Sequence, residues 1–134
     1  MEGMRVSVLV AAVALALIGA AVAAVTARGS STATVVRVTE REYHIALSPA
    51  SAKAGSFTFQ VHNAGKIAHK LDLAGAGLKS TVRVPTIAPG ATRSVTVKLT
   101  GGKLSLWCPL PGHAALGMKT SFKVSGGSAG STWG

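Results

Sequence analysis

The stretch Trp107-Cys108-Pro109-Leu110-Pro111-Gly112-His113-Ala114-Ala115-Leu116-Gly117-Met118 decides how this chain is read. It sets Cys108, His113 and Met118 in a C-x4-H-x4-M spacing, so one turn of chain can wrap one ion. A soft thiolate, an imidazole nitrogen and a thioether together suit copper cycling between Cu(I) and Cu(II).

Working outward, the loop leaves one strand-like run, Lys103–Cys108, and enters another, Lys119–Val124. Period-two alternation rich in Val, Thr, Ile and Phe predicts further strands over Thr34–Thr39, Glu42–Leu47, Ser56–His62, Ile67–Leu73, Thr81–Val84 and Ser94–Leu99. Turns are expected at Asn63–Gly65, Ala88–Gly90 and Gly101–Gly102. No helical period follows residue 30. The expected fold is all-β, an antiparallel Greek-key sandwich or barrel of about eight strands.

A trigonal copper plane needs a second histidine, and His69 is the best placed. It opens a strand just after a turn, where a sandwich can bring a distant strand end beside the Cys108 loop. His62 is the fallback, but it lies within a strand before the turn. His44 and His62 fall on polar-facing strand positions and are expected in solvent. Taken singly, Met118 could fill a core, His69 could be a satisfied strand histidine and Cys108 a small buried hydrophobe. Their joint placement points to a metal site, with His69, Cys108 and His113 in a plane and Met118 as a weak axial ligand.

Asn63-x-Gly65-x-x-x-His69 followed by C-x4-H-x4-M resembles the cupredoxin (blue type 1 copper) family, with a loop spacing most like rusticyanin and sulfocyanin. The resemblance covers residues 34–124. It implies a Greek-key sandwich, one type 1 copper ion and outer-sphere electron transfer. Two positions depart from the common pattern: Lys70 after the first histidine and Pro109 after the cysteine cannot form the side-chain tie that often joins the two ligand segments. Such ties tune metals, which leaves the reduction potential open.

Residues 6–25 carry no charge and follow Arg5, so residues 1–27 read as a signal peptide or an uncleaved membrane anchor. Either outcome exports the domain, as a periplasmic, secreted or outer-face protein. Cys108 is the only cysteine, and an unpaired thiol in an exported protein calls for an explanation such as ligation. Residues 28–33 read as a linker, 34–124 as the copper-binding domain and 125–134 as a disordered Gly/Ser-rich tail.

The chain carries a formal net charge of +10. Its basic residues are scattered singly, which argues against nucleic acid and suits an acidic redox protein partner. Pro109, Leu110, Pro111, Ala114, Ala115 and Leu116 would give His113 an apolar rim fit for brief encounters. Membrane association through residues 6–25 and a monomeric state complete the expectation. Electron carriage leads, copper storage or delivery comes second, and a metal-free adhesion module third. Enzymatic roles lack support, since the chain has no second cysteine for a binuclear copper site and no paired-carboxylate or phosphate-loop arrangement.

Overall fold

The computed structural model describes residues 32–126, so the expected leader and most of the expected tail lie outside the described residues. Alternating apolar residues build nine strands: β1 (Thr34–Arg41), β2 (His44–Ser48), β3 (Ser51–Lys53), β4 (Gly55–Asn63), β5 (His69–Gly75), β6 (Val82–Ile87), β7 (Thr92–Leu99), β8 (Gly102–Trp107) and β9 (Lys119–Ser125). They form two sheets, ordered β2-β1-β4-β7 and β3-β9-β8-β5-β6. The chain changes sheet repeatedly, so residues remote in sequence meet at the ends of the sandwich.

The core lies between the sheets. Val36 and Val38 of β1 and Phe57, Phe59 and Val61 of β4 face Leu71 and Leu73 of β5, Leu104 and Leu106 of β8 and Phe122 of β9. Phe122 meets Phe57 and Phe59 edge-on, with ring centroids 5.6 and 5.9 Å apart. That geometry sets positive ring edges against negative faces.

The all-β sandwich expected from the alternation is present, with four differences. The sheets are mixed, because β1 pairs parallel with β4 and β3 parallel with β9. Strand β3 has three residues on a sheet edge, too short to show an alternating pattern. Strand β6 runs through Pro85 instead of ending before it. It is the other edge of that sheet, where a missing N–H can face away from the ladder.

The fourth finding concerns residues 42 and 43. Glu42 and Tyr43 were expected inside a strand, but they form the turn between β1 and β2. This turn lies at the same end of the sandwich as the segment leaving β4, the start of β5 and the loop from β8 to β9. The parallel pairing of Glu40 with Asn63 and the antiparallel pairing of Asp72 with Trp107 fix that alignment.

Just below this end, β1 turns Glu40 inward with its two valines. Its side chain is fully buried, and neither carboxyl oxygen has a hydrogen-bond partner among the described residues. Burial disfavours the charged form and pushes its pKa up to about 8. Glu40 is therefore neutral at pH 7. The native state keeps a proton that the unfolded chain releases above its ordinary value near 4.5, so this group lowers stability as pH rises toward 8. Between pH 5 and 7.5 the loss is on the order of 3 kcal/mol. Denaturant melts at both pH values should show that loss in wild type and little of it in Glu40→Gln. Equal losses in the two proteins would mean that Glu40 is ionised or partnered.

Candidate metal centre

Three of the four residues expected to bind copper converge at this end of the sandwich. His69 opens β5, Cys108 follows β8 directly, and His113 sits in the loop between β8 and β9. One ligand atom from each lies within 4.8 Å of the other two. The two Nδ1 atoms of His69 and His113 are 3.3 Å apart, and Cys108 Sγ is 3.5 Å from His113 Nδ1. For metal bonds of about 2.0 Å to nitrogen and about 2.3 Å to thiolate sulfur, donors at 120° stand about 3.5 and 3.7 Å apart. The observed separations are thus close to those of a shared trigonal ion.

The chemistry of the donors points the same way. Glu42 Oε1 lies 2.9 Å from His69 Nε2. A carboxylate can only accept, so Nε2 donates, and in the neutral ring this leaves the lone pair on Nδ1. His69 Nδ1 faces the second imidazole nitrogen in a buried spot, with the Cys108 sulfur beside it. His69 and Cys108 are fully buried and His113 is half-buried. A set of two imidazole nitrogens and a cysteine sulfur suits copper.

Met118 is fully buried and belongs to the core cluster. Its backbone closes the loop: Cys108 N–H donates to Met118 O and Met118 N–H donates to His113 O, each at 3.0 Å. Its neighbour Gly117 has φ +127, a backbone region that L side chains avoid, and a Cβ there would stand 2.7 Å from Tyr43 O. The loop therefore packs directly on the β1–β2 turn. His44 and His62 are exposed, and His62 pairs with Thr92 Oγ1 at 2.9 Å. Leu104, Leu106 and Cys108 point inward while Ser105 and Trp107 stand half-buried on the other face, as the alternation predicts.

The β1–β2 turn buttresses both histidines, and the sequence did not reveal this. Glu42 accepts from the Lys66 N–H at 2.9 and 3.1 Å, from the Ile67 N–H at 3.1 Å and from His69 Nε2. The Tyr43 ring meets His113 edge-on, with centroids 5.2 Å apart. Gly65 makes room for the carboxylate, since a Cβ there would overlap Glu42 Oε1. Asn63, fully buried, holds the same segment by donating to Ile67 O at 2.8 Å and Ile87 O at 2.9 Å. The sequence held no local signal for the Glu42 contact, because Glu42 stands 27 residues from His69.

No protein-family profile matches the chain, and no curated protein matches it. Solved structures do. Auracyanin from Roseiflexus castenholzii, reduced with dithionite, has 17% identity and a TM-score of 0.57, covering 70% of this chain and 98% of its own. Auracyanin B gives 19% identity and a TM-score of 0.60, covering 70% and 90%. The chain has the cupredoxin fold. A copper-containing nitrite reductase from Thermus scotoductus shares this fold over 68% of this chain and 30% of its own, at 12% identity and a TM-score of 0.53. Among the described residues, His69, Cys108 and His113 form a group that could hold one metal ion.

The Lys66 and Ile67 N–H bonds, with the His69 contact, hold the Glu42 carboxyl down to about pKa 2. The folded value lies below the ordinary one near 4.5, so this contribution is complete above about pH 4.5 and disappears as pH falls toward 2. Thermal melts from pH 5 to pH 2 are expected to fall more steeply for wild type than for Glu42→Gln. Parallel curves would show that the carboxylate does not hold this segment.

Proposed function

We propose that this chain is an extracytoplasmic blue-copper electron carrier, in which His69, Cys108, His113 and Met118 would hold one copper ion. The convergence of two Nδ1 atoms 3.3 Å apart and the Cys108 sulfur 3.5 Å from one of them carries this reading. Bound copper would supply a one-electron couple. The protein's part is to hold the donors still, so that little rearranges when the charge changes. Full burial of His69, Cys108 and Met118 suits that task and hinders release of the ion, which favours carriage over storage or delivery. The export assignment rests on the leader-like residues 1–27.

The surface at the same end supports an encounter site. Of the four exposed large apolar residues among those described, Tyr43, Ile67 and Leu116 belong to the β1–β2 turn or the ligand-bearing segments, and Leu116 is 62% exposed. Arg41, Lys66, Lys70 and Lys119 neighbour these segments in sequence. A small apolar spot with basic neighbours fits an acidic redox protein, docking weakly beside His113.

Two measurements test these readings. Copper-loaded, oxidised protein should show an intense visible thiolate-to-Cu(II) band that disappears in Cys108→Ser; a colourless wild type would refute the assignment. With an acidic redox partner, the second-order rate should fall as salt rises, and Leu116→Glu should slow it roughly tenfold or more with an unchanged visible spectrum. A rate indifferent to both would place docking elsewhere.

A further inference from the structure

Glu42 is the acid that reaches a candidate ligand, and its geometry suggests more than support. One carboxylate takes three hydrogen bonds: from the Lys66 and Ile67 backbone and from the far nitrogen of the His69 ring. All three donors reach Oε1, and the Lys66 N–H also reaches Oε2 at 3.1 Å. An amide could keep the three Oε1 bonds but would set its NH2 group against the Lys66 N–H and carry no charge. A backbone carbonyl could accept from His69 alone. The carboxylate stands directly behind an imidazole that faces the metal site. Its side chain is 26% exposed, so solvent screens its charge only in part.

Resting on the copper reading above, we propose that Glu42 is a positioning residue that biases the site toward Cu(II) and so lowers its reduction potential. Two effects act through the ring. The carboxylate keeps the proton on Nε2, which reserves Nδ1 for the ion. Its negative charge also makes the imidazole a better donor, and a better donor favours the more highly charged metal state. The first effect serves both oxidation states equally. The second separates them, and that difference distinguishes tuning from simple support.

The same geometry provides an independent perturbation. Gly65 sits against Glu42 Oε1, which fills the place a Cβ on residue 65 would take. Gly65→Ala displaces the carboxylate without removing its charge from the chain.

The experiment measures Cu(II) and Cu(I) affinities separately, by competition with chelators, together with the reduction potential, in wild type, Glu42→Gln and Gly65→Ala. In Glu42→Gln the Cu(II) affinity is expected to fall about tenfold while the Cu(I) affinity changes little, equivalent to a rise of about 59 mV for one electron. Gly65→Ala should move the potential in the same direction. Nitrogen NMR of the copper-free wild type should find His69 protonated on Nε2 and unprotonated on Nδ1, a result independent of any metal. Equal losses of both affinities, or an unchanged potential, would overturn the proposal and leave Glu42 a structural prop. Protonation of His69 on Nδ1 in the copper-free protein would also overturn it. If Glu42→Gln does not fold, Gly65→Ala decides alone. A wild type that binds no copper is a separate outcome: it defeats the copper reading, while the NMR result still reports the Glu42–His69 contact.

Discussion

The hydrogen bond from His69 Nε2 to Glu42 ties the metal centre to the rest of the sandwich. Without it, the His69 ring could turn or shift its proton, and the lone pair on Nδ1 would no longer be committed to the site. With it, a residue at the end of one sheet orients a ligand at the start of a strand in the other. The same carboxylate pins the Lys66 and Ile67 backbone, and the adjacent Tyr43 ring rests against His113. A turn of two residues thus restrains both histidines. Preassembly of this kind is what a metal site requires if it is to change charge without changing shape.

Charge is distributed with the same economy. Glu40 and Glu42 stand two residues apart on one chain, yet their surroundings drive them in opposite directions. Glu40 lies between the sheets with no partner and is held neutral by burial up to about pH 8. Glu42 sits at the rim, meets three N–H donors and stays ionised down to about pH 2. The remaining described acid, Asp72, lies 3.6 Å from Arg83 on the outer face. Among the described acids, the uncompensated negative charge is therefore the one behind His69.

The candidate ligand loop stood out in the sequence because its chemistry is local. Cys108, His113 and Met118 share one short segment, and their spacing can be counted directly. His69 could be inferred because a turn precedes it and a sandwich brings strand ends together. The strands were legible where alternation is long, as in β4 and β7. Strand β3 was hidden by its length, and the continuation of β6 by Pro85, which an edge position tolerates. The parallel pairing of β1 with β4 depends on the order of strands across the sheet, which alternation does not encode. Glu42 and Tyr43 were read as strand because Tyr43, Ile45 and Leu47 alternate. Their buttressing role depends on contacts to residues 65–69 and 113, and those exist only once the sheets are stacked.

The central claim is that the trigonal donor set is assembled by the protein before the ion arrives. Crystal structures of the copper-free and copper-loaded protein, in both oxidation states, test it most directly. The account expects one ion bound by His69 Nδ1, Cys108 Sγ and His113 Nδ1, with the two Nδ1 atoms remaining near their present 3.3 Å and the Glu42–His69 hydrogen bond intact throughout. Histidines that swing into place only when copper binds, or an ion held by other residues, would contradict it.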